Sequence, residues 1–239
     1  MSSEKKYFGK DLEAMSFAEN YHQWILDEFR PYLGERVAEV GAGTGNFSAF
    51  LLQAGVKQLS AFEPFGNMHT LLSQRFADDR RVDPINTFFE ETSQKYPKQF
   101  DAVCYVNVLE HIEDDLAALR HARATMKDEG HLLVFVPALS FLYSDLDRKV
   151  GHFRRYSKAQ LENVVRDAGF SIRTLKYFDI MGIIPWYVAF VVMKKTTTSA
   201  NVSLYDRLVV PTMRRVESLA TPFIGKNLIL VAQKTATPD

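Results

Sequence analysis

Three groups of residues in this chain have types and spacings that could do chemistry. Gly41, Gly43 and Gly45 alternate directly after the apolar run that ends at Val40, and a helical stripe of Phe47, Phe50, Leu51 and Ala54 follows them. Glycines let the backbone turn tightly and let a ligand approach where no Cβ stands in the way. The unpaired N–H groups of a helix start attract anionic or carbonyl groups. Glu63 closes a second apolar run, about twenty residues after the glycines, where nucleotide-binding folds place an acid that accepts from ribose hydroxyls. Its plainer reading is a solvated acid at a strand end. A third apolar run passes into Asn107-Val-Leu-Glu-His111. His111 either orients a substrate and accepts a proton, or ties its own loop down. Further on, Tyr143, Asp145, Asp147, His152, Arg154, Arg155 and Tyr156 crowd one polar, aromatic segment with the look of a substrate wall. His152 is the first candidate base, because imidazole titrates near neutrality. Arg154 can hold an anionic group. For Arg155 a tether to acidic neighbours is the better reading.

The glycine spacing departs from the dinucleotide pattern G-x-G-x-x-G, since the third glycine arrives one residue early and Asn46 stands in its place. No Lys-Ser or Lys-Thr follows, as a P-loop requires. With Glu39 two residues before Gly41, the run resembles motif I (E/D-x-G-x-G-x-G) of class I S-adenosylmethionine-dependent methyltransferases. Asn107-Val-Leu-Glu-His111 resembles the N-V-L-E-H segment of small-molecule methyltransferases. Gly151-His-Phe-Arg-Arg-Tyr-Ser157, with Asp147-Arg148 before it and Ala168-Gly-Phe170 after it, resembles a stretch of a bacterial branch of that family.

The resemblance implies S-adenosylmethionine as cofactor and S-adenosylhomocysteine as product. It places Glu39, Gly41, Gly43, Gly45, Glu63, Pro64, Met68, Phe88, Asn107 and Val108 around the cofactor. Phe65 and Met68 would line adenine, with core packing as the alternative, and Thr87 and Phe88 mark that neighbourhood. Tyr143, Arg154 and Tyr156 would meet the substrate, and His152 and His111 would serve catalysis. The implied reaction moves a methyl group to an O or N nucleophile of a small molecule: a metabolite, a sugar or a lipid-linked intermediate. A metal site of Glu110, His111 and Asp114 lacks a convincing ligand set, so no metal is expected.

These residues need a frame that brings them to one edge. Apolar runs at Arg36–Val40, Gln58–Phe62, 82–88, Phe100–Val106 and 132–136 alternate with helical stripes, the pattern of a parallel sheet covered on both faces. Tyr21, Trp24, Ile25 and Phe29, with Phe17, form a helical face ahead of them that ends at Pro31. The helix marked by Leu116, Leu119, Ala122 and Met126 is expected to stop at Gly130. Ser157 and Gln160 form a capping box, and Gly169 is placed to stop the helix after it. Late strands are expected at 171–177 and 228–233. The expected class is α/β: a Rossmann-like, doubly wound, mostly parallel seven-stranded sheet with a C-terminal antiparallel strand and an apolar lid or insertion. One domain is expected over 1–239. It divides into a helical cover at 1–34, a cofactor-binding core at 35–140, a substrate loop at 141–157, an apolar lid or interface insertion at 178–225 and a last strand at 226–234.

Composition narrows the partners. Of 239 residues, 46% are hydrophobic, enough for a sizeable core, and 29 basic residues balance 29 acidic ones. A zero net charge speaks against a nucleic-acid partner and for a small molecule. Cys104 is the single cysteine, so no internal disulfide can form. The start, Met1-Ser-Ser-Glu-Lys-Lys, has no apolar signal core, which suggests a cytoplasmic protein. The stretch from Phe178 to Met193 is strongly apolar but too short and broken for a span. It reads as a lid, a homodimer surface, or a peripheral membrane contact with Lys194 and Lys195 at the headgroups. Two other functions stay open: an NAD-dependent oxidoreductase, disfavoured by the early third glycine, and a non-catalytic module binding a partner through this apolar stretch.

Overall fold

A computed structural model describes residues 18–194 and 199–235. Phe17, Lys195 and the first part of the 1–34 cover lie outside the described residues. Helix α1 (Glu19–Phe29) leads into β1 (Arg36–Val40), α2 (Asn46–Gln53), β2 (Gln58–Phe62), α3 (Gly66–Arg75), β3 (Val82–Ile85), α4 (Phe89–Thr92) and β4 (Phe100–Val106). Then come α5 (Asp115–Thr125), β5 (Met126–Pro137), α6 (Asp145–Val150), α7 (Lys158–Asp167) and β6 (Phe170–Phe178). The chain closes with α8 (Ile183–Trp186), a π-helical turn (Tyr187–Val192), α9 (Ser199–Leu208), α10 (Val210–Leu219) and β7 (Asn227–Lys234).

The seven strands form one sheet in the order β3-β2-β1-β4-β5-β7-β6, with β7 antiparallel to both neighbours. This is the expected seven-stranded, mostly parallel α/β sheet. Side chains alternate across each strand, so Val37 joins one core with α1, α2 and Phe135, while Ala38 and Val40 join the other with α5, α7 and Tyr105. The chain runs outward from β1 to β2 and β3, then returns to β4 on the other side of β1. Val40 therefore pairs with Phe62 on one side and Tyr105 on the other. The split between β1 and β4 is the topological switch point, where sheets of this kind bind ligands.

Three boundaries differ from the sequence expectation. Strand β3 stops at Ile85 rather than 88, because the Asn86 side chain turns to donate to the Glu63 carbonyl at 2.9 Å and Thr87 N–H folds back onto Ile85 O at 3.1 Å. Helix α5 ends at Thr125, before Gly130, and β5 begins at once with Met126 paired to Phe100. The 141–157 segment is not all loop: α6 forms within it, started by a reciprocal capping box between Ser144 and Asp147 and stopped by Gly151 at φ 87°.

The insertion after β6 is fixed by buried acids. Helix α1 has no local side-chain cap at Ala18. Its exposed donors are met from α9, where Asp206 accepts the N–H groups of Asn20 at 3.0 Å and Tyr21 at 2.9 Å. Asp179 accepts the hydroxyls of Tyr21 at 3.0 Å and Tyr205 at 2.5 Å and pairs with Lys226 at 3.0 Å. Glu217 accepts the N–H groups of Asp179 and Ile180. These bonds hold the N-terminal helix, the insertion and the last strand together.

Candidate active site

The glycine loop lies at the switch point with all three glycines left-handed, at φ 69°, 57° and 79° for Gly41, Gly43 and Gly45. A Cβ on Gly41 would stand 2.6 Å from Cγ2 of Val108, and one on Gly45 would stand 2.5 Å from the Phe76 ring. The loop is thus held close between the exit of β4 and the end of α3. The N–H groups of Gly41 and Ala42 donate to Phe62 O at 2.8 and 3.0 Å. Gly45 caps α2 without a side chain, so no side-chain oxygen from the cap covers the donors of that helix start.

Glu63 is buried beneath this loop. Its two oxygens accept the N–H groups of Gly43 at 2.8 Å and Phe65 at 2.9 Å. Burial raises its carboxyl above the ordinary range, against the pull of those two bonds. Each oxygen keeps a further acceptor site. Glu39, expected among the cofactor contacts, is buried in the sheet and takes the Ser48 hydroxyl at 2.5 Å. It is a strut between β1 and α2, and burial pushes its carboxyl up to about 8. Pro64 and Met68 are half-buried at the start of α3, and Phe88 is 36% exposed beyond β3. Arg75, for which the sequence suggests only a place on the helix after β2, donates to Thr44 O at 3.3 Å and Asn46 Oδ1 at 2.6 Å and braces the loop from outside.

At the exit of β4, Asn107 turns left-handed at φ 55° while its N–H stays bonded to Phe135 O at 2.8 Å. Val108 then packs on Gly41, and a 3-10 turn carries Leu109–His111. Glu110 is fully buried, and burial pushes its carboxyl up to about 7. Neither of its oxygens has a hydrogen-bond partner among the described residues. Burial lowers His111 to about 4, so its imidazole is neutral at pH 7.

The structure brings His152 to this turn. Phe153 N–H donates to Glu110 O at 2.8 Å, and the His111 and His152 rings meet edge-on at 4.5 Å. His152 Nδ1 lies 2.8 Å from Asp147 Oδ1, and Nε2 lies 3.9 Å from Glu110 Oε1. Asp147 had no assigned role in the sequence reading, although Ser144-x-x-Asp147 is a legible capping box.

Three expected substrate contacts are used internally. Arg154 donates to Asp115 Oδ2 and to Glu113 O, both at 2.6 Å, so its charge is satisfied within the fold. Tyr156 is buried, and its hydroxyl donates to the same Asp115 oxygen at 2.7 Å. Tyr143 is half-buried with its hydroxyl donating to His152 O at 2.7 Å. Arg155 is the expected tether, bonded to Asp147 at 2.9 and 3.2 Å and to Ala138 O at 3.2 Å. Asp114 caps α5 through Ala117 N–H at 2.9 Å, which takes it out of the ligand set considered with Glu110 and His111.

The arrangement can bind a ligand over glycine backbone and accept a proton beside it. An imidazole oriented by a buried carboxylate is a general base of familiar design. Comparison with known proteins agrees with the fold. A sequence pattern described as "Methyltransferase domain" matches residues 15–175. A tRNA U34 carboxymethyltransferase of Campylobacter hominis is 25% identical over 59% of this chain, and the chain spans 47% of that protein's length. A ubiquinone biosynthesis O-methyltransferase of Pseudomonas paraeruginosa is 26% identical over 67% of the chain and 72% of its own length. The crystal structure of a SAM-dependent methyltransferase from Archaeoglobus fulgidus superposes with a TM-score of 0.64 at 18% identity, covering 94% of this chain and 99% of that one.

Proposed function

The chain belongs to the methyltransferase domain family, and from that premise we propose that it transfers the methyl group of S-adenosylmethionine to an O or N nucleophile of a small molecule. The nicotinamide-dependent reading is set aside with it. The observation that carries the proposal is the convergence, at one switch point, of the left-handed glycine loop, Glu63 and the Asn107–Val108 turn. These residues fit a nucleoside with a charged tail. Gly43 gives close backbone approach, and Glu63 keeps acceptor sites for a ribose diol. Pro64, Met68 and Phe88 offer apolar surface for adenine, and Val108 borders the methyl end. When bound, the cofactor would supply a methyl group activated on a sulfonium: the acceptor's lone pair would form the new bond to the methyl carbon, and the sulfur would keep the C–S electron pair.

The chain's own part is to position the acceptor, exclude water and receive its proton. His152 Nε2 takes that proton. Asp147 on the opposite nitrogen holds the ring and stabilises the imidazolium that forms. His111, neutral beside it, orients the acceptor. Tyr143 holds the backbone at His152 in place.

A small acceptor is supported by the zero net charge and by the engagement of Arg154 and Arg155 within the fold, which leaves neither to meet a phosphate backbone. The apolar insertion supports an acceptor with an apolar part: Phe141, Ile183, Ile184, Tyr187 and Val191 line an open groove next to the substrate segment. We assign the insertion as a lid that can also serve as a homodimer surface. Among the described residues no helix is long and apolar enough to cross a membrane, and a cytoplasmic site of action is part of the proposal. The test is mass spectrometry of a metabolite extract and, separately, bulk tRNA incubated with methyl-labelled cofactor. Label in a small metabolite is expected. Label in tRNA alone overturns the small-molecule assignment.

A further inference from the structure

Glu110 is the group in the site that proton transfer does not need. It is fully buried, and both carboxylate oxygens lack a hydrogen-bond partner among the described residues. Buried acids are ordinarily paired, because desolvation without compensation is costly. The nearest imidazole nitrogen, Nε2 of His152, stands 3.9 Å from Oε1, beyond hydrogen-bond range. One donor atom from each of Glu110, His111 and His152 lies within 4.8 Å of the other two. The outer nitrogen of His152 is already in use: Asp147 holds Nδ1 at 2.8 Å, which leaves Nε2 facing Glu110. Metal-ligating imidazoles are commonly oriented in this way, with carboxylate or backbone on the nitrogen away from the metal.

We infer that Glu110, His111 and His152 form a binding site for a divalent cation. Two imidazoles and one carboxylate suit a first-row transition ion such as Zn²⁺ or Mn²⁺ better than Mg²⁺ or Ca²⁺, which prefer oxygen. Ligands at about 2.1 Å from such an ion sit roughly 3.4 Å apart in tetrahedral geometry. The present spread of up to 4.8 Å therefore closes by about 1.4 Å, a distance that side-chain rotation can cover. Three protein ligands leave one position open beside the proposed methyl end, and an acceptor oxygen bound there would be polarised and more easily deprotonated. In the cation-bound protein His152 Nε2 is a ligand and the acceptor's proton leaves to solvent, so its role as base belongs to the cation-free protein. Only this use of the open position rests on the methyltransferase reading. Cation binding itself does not.

The experiment is calorimetric titration of chelator-treated, full-length protein with Zn²⁺, Mn²⁺ and Mg²⁺, without cofactor. One site per chain is expected for Zn²⁺ and Mn²⁺, at least tenfold tighter than Mg²⁺. Glu110→Gln and His111→Gln should each weaken it at least tenfold, and Asp114→Ala should leave it unchanged. Zn²⁺ should raise the melting temperature of the wild-type protein and not that of Glu110→Gln. Binding of the same affinity in wild type and Glu110→Gln overturns the inference, as does the absence of any saturable site. Titration of the same samples with S-adenosylhomocysteine reports the cofactor site separately and shows whether each variant is folded.

Discussion

His152 Nδ1 sits 2.8 Å from Asp147 Oδ1, and the same carboxylate accepts from Arg155 Nε at 2.9 Å and from the Ser144 N–H and hydroxyl at 2.8 Å each. Burial alone would raise the Asp147 carboxyl, but the bonds from His152, Arg155 and Ser144 outweigh it and hold it at about 2. One charge thus caps α6, neutralises a buried guanidinium and orients the candidate base.

Those linked tasks separate two mutations. Asp147→Asn leaves Arg155 buried without its counter-charge and should destabilise the protein by roughly 3–5 kcal/mol. His152→Gln removes one bond to a buried, charged carboxylate and should cost about 1.5–3 kcal/mol. It should still lower kcat by roughly 10²–10⁴-fold while S-adenosylhomocysteine affinity stays unchanged. Chemical denaturation and single-turnover methyl transfer measure the two effects. An unchanged rate in His152→Gln removes His152 from the reaction.

The glycine loop makes a steric prediction. In Gly41→Ala the new methyl would stand 2.6 Å from Val108 Cγ2, on a backbone at φ 69°. The backbone strain alone is about 1–2 kcal/mol, and relief of the clash must shift the turn that borders the methyl end. Loss of stability together with weaker S-adenosylhomocysteine binding is expected. Val108→Ala should restore part of the stability in the double mutant, and stability losses that simply add would show that the two residues do not press on each other.

Glu39 sets a pH dependence. Its folded carboxyl is raised to about 8 from 4.5, so the folded state holds a proton that the unfolded state gives up between those values. Stability contributed at that position is full below about 4.5 and declines as pH rises toward 8, by at most about 1.4 kcal/mol per pH unit. His22, lowered by burial from 6.5 to about 4, acts in the opposite sense and weakens the fold as pH falls through that range. Glu39→Gln should flatten the decline between pH 6.5 and 8 relative to wild type. Parallel melting-temperature profiles for the two proteins would count against a buried, neutral Glu39.

Much of the frame is legible because it follows from local pattern. The glycine run, the apolar strands and the Ser157–Gln160 capping box each specify their element with residues a few positions apart. The site is legible as a neighbourhood, since strand ends of a parallel sheet share one edge. The fate of individual side chains is not. Arg154 and Tyr156 turn inward because Asp115 lies beside them, about forty positions earlier. The cap of α1 comes from Asp206, and nothing local in 19–29 announces it. Helix α6 is a different case: its Ser144–Asp147 box stands in the sequence, hidden by the polar crowd around it.

The apolar insertion is best probed at a residue that makes no contact with the site. Trp186 Nε1 donates to Leu142 O at 3.1 Å and its ring lies under Arg155, so replacing it would disturb the site. Ile184 is 70% exposed, and Ile184→Asp should change stability by no more than about 0.5 kcal/mol. As a lid residue it should leave sedimentation with anionic vesicles at background in both proteins. Pelleting of the wild type that is lost in Ile184→Asp would move the insertion from lid to membrane contact.

The central claim is that the glycine loop and Glu63 hold S-adenosylmethionine. Calorimetric titration of the wild-type protein with S-adenosylmethionine and S-adenosylhomocysteine tests it most directly, beside Glu63→Ala and Gly43→Val. The account predicts one site per chain for both ligands in the wild type and at least a tenfold loss of affinity in each folded variant. Wild-type affinity in both variants, or no binding of either ligand to the wild-type protein, would contradict it.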